Sequence, residues 1–113
     1  MKLSRNAAMR LWEQCFGDER FAKDFHGNLM CRDAYGDRDA YIVENGQEIY
    51  CGWNLHHILP KALGGSDAFS NLLCTNIITN DETEDKVTFW VDDNLYQVQK
   101  IRGQHEYDIV RLR

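Results

Sequence analysis

The chain contains a single proline, Pro60, and it stands in the stretch WNLHHILPKALGGSD at residues 53–67, after a β-prone run and just before Gly64-Gly65. Proline cannot donate to a strand ladder and pushes its predecessor out of helical geometry, so a strand through Trp53 must end here and a loop must follow. Upstream, DAYIVENGQEIYCGW carries Asn45-Gly46 between two β-prone runs. Both residues tolerate positive φ, which makes the pair a strong hairpin signal. A hairpin therefore feeds the strand at Trp53, and SNLLCT beyond the loop reads as another short strand.

Helical signals flank this centre. From a cap at Ser4, the apolar positions Ala8, Leu11, Trp12 and Cys15, with Phe16 beside them, follow helical spacing as far as Gly17. A second short helix is expected over ERFAKDF, ending at His26-Gly27. TNDETEDK reads as a helix with Thr79 and Glu82 at capping-box spacing and acidic residues in its first turn. The C-terminal third, VTFWVDDNLYQVQKI and then EYDIVRL, alternates as a hairpin turning at Asp92-Asp93-Asn94 plus one more strand. The expected fold is a small α+β single domain over residues 1–113, with an N-terminal helical segment (4–26), a core (50–88) carrying the paired histidines, extra hairpins, and C-terminal strands (87–112).

Composition narrows the function classes. With 43% hydrophobic residues in 113, the chain can bury one modest core. No apolar run approaches the roughly 18 residues that span a bilayer. The amphipathic start MKLSRNAAMRLWEQ lacks a signal peptide's apolar centre, so no membrane partner and a cytoplasmic location are expected. Cysteines 15, 31, 51 and 74 form no CxxC pair and are expected to be reduced and mostly buried. The formal net charge of -5 argues against binding nucleic acid through a broad basic surface. A role on DNA would have to come from a local site.

Such a site is suggested by His56 and His57. Neighbours on a strand point to opposite faces, so near the strand end one imidazole can reach a metal while the other faces a substrate. Further ligand candidates downstream are Asp67, Asn71, Asn76, Asn80 and the acidic helix. Imidazole nitrogen with amide oxygen is a mixed donor set suited to a catalytic divalent ion that keeps positions open for water and phosphate.

WNLHHILPKALGGSD, then SNLL, then ITNDETEDK resembles the motif of the HNH endonucleases: a ligand and a histidine, Ile-x-Pro, a Gly-Gly loop, Asn-Leu, and a last His or Asn on a helix. The likeness covers residues 53–86, under a third of the chain. It implies a ββα-metal core, in which two strands and a helix pinch one divalent ion. On the matching positions it implies His56 and Asn80 as metal ligands, His57 as the general base, and Asn71 as the residue that braces the loop and orients the base. Asn76 and Asp81 stay open as rivals to Asn80. Asp67 is expected to turn the loop, and Trp53 to pack in the core.

The resemblance implies metal-dependent hydrolysis of a DNA phosphodiester, of the kind found in small phage and bacterial nucleases. A neutral imidazole takes the proton of the attacking water. His56 stands where an aspartate is common, so both implied protein ligands are neutral, a set that leans toward a softer ion, and the one divalent ion stays open among Mg²⁺, Mn²⁺, Ni²⁺ and Zn²⁺. The cysteine pairs that hold a structural zinc in many relatives are missing. Lys61 and Lys86 are the candidate phosphate contacts, with Arg32 and Arg38 upstream and Arg102, Arg111 and Arg113 as a candidate backbone track. The acidic balance allows a protein partner that delivers DNA. Two rival readings are a non-catalytic nucleic-acid-binding or metal-binding module on the same scaffold, and a structural domain with chance histidines. His26 and His105 lie outside the motif.

Overall fold

Ser4 caps the first helix, its Oγ accepting from the Ala7 amide at 3.1 Å, and α1 (Arg5–Phe16) ends at Gly17. The computed structural model describes residues 3–101 and 106–113, so Arg102 and His105 lie outside the described residues. Ala7, Ala8, Leu11 and Trp12 form the buried face of α1. Cys15, assigned to that face by its spacing, is exposed, and the Phe16 ring packs edge-on against Trp12 instead.

The expected second helix is a strand. β1 (Phe21–Lys23) pairs antiparallel with β2 (Leu29–Cys31), a strand the sequence reading missed. Asp24 explains the difference: its buried Oδ1 accepts from the amides of His26, Gly27 and Asn28 at 2.9–3.0 Å. A short acidic side chain that satisfies three successive backbone donors favours a turn over a helix. Its Oδ2 accepts from the Asn76 amide at 3.0 Å and so ties this ribbon to the centre of the molecule.

β3 (Tyr41–Glu44) and β4 (Gln47–Tyr50) form the expected hairpin, with Asn45 at φ 53° and Gly46 at φ 78°. These positive values match the primed turns that suit twisted hairpins. The next strand, β5 (Trp53–His57), pairs antiparallel with β6 (Leu72–Asn76), and α2 (Ile77–Thr83) follows at once. The helix cap lies three residues before the expected Thr79–Glu82 box. Asn76 is the cap, its Oδ1 accepting from the Ile78 amide at 2.9 Å, while Thr79 is fully buried and accepts from Asn28.

The β5–β6 pair separates two environments. Trp53, Leu72 and Cys74 join Ala8, Leu11, Trp12, Met30 and Ala34 in the main core beneath α1. By the pairing register, Asn54, His56, Leu73 and Thr75 share the opposite face, the one that meets α2. Trp53 is fully buried, 4.9 Å from the Trp12 ring, and its indole donates to the Arg32 carbonyl.

The C-terminal hairpin and added strand form a separate sheet of β7 (Thr88–Val91), β8 (Asn94–Lys100) and β9 (Tyr107–Arg111) in that order. It buries Phe89, Val91 and Tyr96 with help from Phe25. His26 joins it to the β1–β2 ribbon, Nδ1 lying 2.8 Å from the Tyr96 hydroxyl and Nε2 donating to Asp92 at 2.7 Å. Among the described residues the fold is α+β, two α-helices with four small antiparallel sheets, and no helix is long and apolar enough to cross a membrane.

Candidate functional site at the end of strand β5

β5 ends at His57, and Pro60 then opens the loop as its composition requires. Gly65 is needed there for space: a Cβ at this position would lie 1.7 Å from the Leu59 carbonyl oxygen and 2.9 Å from Asn71 Nδ2. Asn71 staples the loop to the strand end. Its Oδ1 accepts from the Leu59 amide at 2.9 Å, and its Nδ2 donates to the carbonyls of Leu59 and Ser66 at 3.1 and 2.9 Å. The bracing half of the expectation for Asn71 therefore agrees with the structure.

The orienting half does not. His57 Nε2 donates to Asp67 Oδ1 at 2.7 Å, so the residue read as a loop turn is the partner of the imidazole. Asn71 already spends its amide on three backbone groups, and a carboxylate is the stronger acceptor for an imidazole N–H. In the neutral ring this contact puts the proton on Nε2 and leaves the lone pair on Nδ1. The hydrogen bond from His57, aided by Lys61 at 3.3 Å, holds the Asp67 carboxyl below its usual range. A histidine ten positions before an acid that follows Gly-Gly is a signal legible in the sequence once the loop is known to fold back.

His56 lies on the opposite face of the strand and is only 6% exposed. Its Nδ1 meets Asn80 Oδ1 at 2.5 Å, and the Asn80 amide is turned by donating to Asn54 Oδ1 at 2.8 Å. Asn54 was not singled out by the sequence reading. The contact with Asn80 assigns the proton to Nδ1. His56 Nε2 is then a buried lone pair with no partner. Burial keeps this ring neutral by pushing its pKa down, against the opposing pull of Asn80, Asp85 and Asp24.

The rivals for the Asn80 position are engaged elsewhere. Asn76 is buried, capping α2 and donating to the carbonyls of Leu29 and Tyr50. Asp81 faces outward to Arg38 at 3.0 Å. Starting α2 at Asn76 instead of Thr79 sets Asn80 inside the helix, one turn in, against β5.

A cleft of about 240 Å³ is lined by Leu55, His56, His57, Lys61, Ala62, Asn80 and Asp85. Both histidines thus border one cavity from opposite faces of the same strand end. An ion shared by His56 and Asn80 would have to take the place of the hydrogen bond between Nδ1 and Oδ1, because Nε2 leaves the ring on the other side. Among the described residues no three His, Cys, Asp or Glu side chains converge as a metal cage of their own. Of the candidate phosphate contacts, Lys61 is in the cleft but bonded to Asp67, and Lys86 pairs with Glu84 at 3.0 Å. Arg111 donates to Asn94, and the Arg113 guanidinium lies 5.5 Å over the Trp90 ring.

Two of the four cysteines, Cys51 and Cys74, are buried, Cys31 is partly covered and Cys15 is exposed; all four are free thiols. Burial pushes the Cys74 thiol up to about 12, which leaves it without nucleophilic character near neutrality. No protein-family model matches the chain, and comparison with curated proteins and with solved structures gives no significant match.

Proposed function

We propose that this protein is a metal-dependent nuclease of the HNH type that hydrolyses DNA phosphodiester bonds, with the β5–β6–α2 unit as its ββα-metal core. The observation that carries the reading is His57, its Nε2 tied to the Asp67 carboxylate, on the cleft it shares with His56 and Asn80. Asp67 fixes the tautomer and favours the imidazolium that forms when Nδ1 takes the proton of an attacking water. The pairing is the familiar division of labour between a base and the acid that orients it.

His56 and Asn80 are the ligands in this reading, their donors being a neutral nitrogen and an amide oxygen. A divalent ion there, Mg²⁺, Mn²⁺, Ni²⁺ or Zn²⁺, would neutralise charge growing on the scissile phosphate and the leaving oxygen. Among the described residues Lys61 is the one cation on the cleft, and a phosphate entering it competes with Asp67 for the ammonium group. The preference for DNA rests on the motif alone.

The test is nicking of supercoiled plasmid by the purified chain across the four ions, beside an EDTA control. Cleavage is expected with at least one ion, abolished by EDTA, and reduced about 10²–10⁴-fold in His57→Ala. Equal cleavage by His57→Ala would sink the assignment of the base. One observation favours a second reading, a metal- or nucleic-acid-binding module without turnover: both candidate phosphate lysines are already paired in a chain of net charge -5. Binding of metal through His56 with no cleavage by any ion is the outcome that reading expects.

A further inference from the structure

We propose that Cys31 and Cys51 form a reversible disulfide site, closed by exchange with a low-molecular-weight disulfide such as oxidised glutathione, that staples β2 to the chain entering β5. Neither residue lines the histidine cleft, so the site stands apart from the function proposed above.

The fold itself brings the pair together. Cys31 is the last residue of β2, Cys51 directly follows β4, and the Cys31 amide donates to the Cys51 carbonyl at 3.0 Å. A backbone bond between neighbouring strands sets two Cα atoms roughly 5–6 Å apart, inside the span of about 4.4–6.8 Å that a disulfide bridges. Among the described residues no other two cysteines share a backbone hydrogen bond. The side chains meet as well: burial, and after it the neighbouring Cys31 thiol, pushes the Cys51 thiol up. Cys51 is 2% exposed, and its sulfur donates a weak bond to the Ala40 carbonyl at 3.7 Å, which a disulfide gives up at little cost.

The bond would sit at a junction. Asn76 Nδ2 spans the carbonyls of Leu29 and Tyr50, and the Gly52 carbonyl accepts from the Ile77 amide at 3.0 Å, where α2 begins. Hydrogen bonds alone join β2, the end of β4 and the start of α2 here, and a covalent tie would close a loop around the 19 residues between the two cysteines. That loop includes the largely exposed β3–β4 hairpin, so closing it removes freedom chiefly from the unfolded chain. Cys31 is partly covered and Cys51 buried, which sets the order of the exchange. The Cys31 thiolate attacks one sulfur of glutathione disulfide, forming a mixed disulfide and releasing one glutathione thiolate. Cys51 gives its proton to solvent and attacks the Cys31 sulfur, and the second glutathione leaves. Two protein thiols are oxidised to one disulfide, and one glutathione disulfide is reduced to two thiols.

The experiment is equilibration of the full chain in reduced and oxidised glutathione, followed by acid quench, intact mass and non-reducing peptide mapping, for wild type, Cys15→Ser, Cys31→Ser and Cys51→Ser. Wild type and Cys15→Ser are expected to give the Cys31–Cys51 cross-linked peptide, while Cys51→Ser stops at a mixed disulfide on Cys31 and Cys31→Ser forms no internal bond. At a fixed concentration of reduced glutathione, the oxidised form needed to half-close the pair is expected to be at least about tenfold lower for folded wild type than for the chain in guanidinium chloride. Oxidised wild type is expected to melt about 10 °C higher than reduced, a gain that dithiothreitol reverses. Mixed disulfides alone in wild type, a cross-link between another pair, or the same glutathione requirement folded and unfolded would overturn the site. An oxidised chain that melts no higher than the reduced one would overturn its role as a staple. The main comparisons use wild type, so they stand even if a serine variant fails to fold.

Discussion

His56 and His57 are adjacent in sequence yet meet opposite physical demands, and the division follows from β-strand alternation alone. His57, about a fifth exposed, is held by a carboxylate, whereas His56 is buried against an amide and kept neutral. The burial of His56 has a consequence for stability. Its pKa in the folded protein lies below the ordinary value of 6.5, so the unfolded chain takes up a proton near 6.5 that the folded chain refuses. The contribution of His56 is therefore complete above that pH and declines as pH falls toward the folded value. In EDTA, the melting temperature of wild type is expected to drop between pH 7 and about 5 more steeply than that of His56→Gln. Identical pH profiles would contradict the buried neutral state. At this scale the sequence was informative about which residues gather: His56, His57, Asn71 and Asn80 all border the strand end or its loop. It was uninformative about who bonds to whom, because the Asp67 contact depends on how the Gly64-Gly65 loop folds back.

Among the elements, the ones legible in advance carry strong local punctuation: the Ser4 cap of α1, the Asn45-Gly46 turn of β3–β4, and Pro60 after β5. Those misread depend on a tertiary partner. The residues of β1 look helical until Asp24 is seen accepting three backbone amides and the distant Asn76 amide. The start of α2 was misplaced because Thr79 and Glu82 satisfy the capping pattern, while the true cap, Asn76, is identified by its buried position between Leu29 and Tyr50. The loop is the element where structure and chemistry separate experimentally. Asn71→Ala leaves the Leu59 amide and two carbonyls unpaired, at a cost of about 2–4 kcal/mol, and is expected to lower both melting temperature and nicking. Asp67→Ala removes a half-buried pairing that holds the His57 ring and is expected to slow nicking about 10–100-fold while lowering the melting temperature less than Asn71→Ala does. If Asn71→Ala melts like wild type, the loop is held by something else.

Across the whole molecule, the C-terminal sheet keeps its own small cluster and is tied back through the His26 bridge to Tyr96 and Asp92, so the chain is organised around two apolar centres. Periodicity revealed the strands of that sheet but not this bridge, since His26 precedes Tyr96 by 70 positions and no local pattern couples them. Charge follows the same large-scale logic. With a net charge of -5 and both candidate phosphate lysines paired, most of the surface repels a polyanion, so the proposed function requires that attraction come from the cleft. Each lysine or arginine that neutralises a phosphate contributes about -0.9 to the slope of log affinity against log salt on duplex DNA. Engagement through Lys61 alone therefore implies a slope near -1, and weak binding that a delivering partner would have to supplement. Fluorescence anisotropy of a labelled duplex with His57→Ala, in Mn²⁺ across a salt series, measures it. A slope of about -4 or steeper would mean that a basic track including Arg111 and Arg113 carries the DNA, and would move the binding surface from the cleft to the C-terminal sheet.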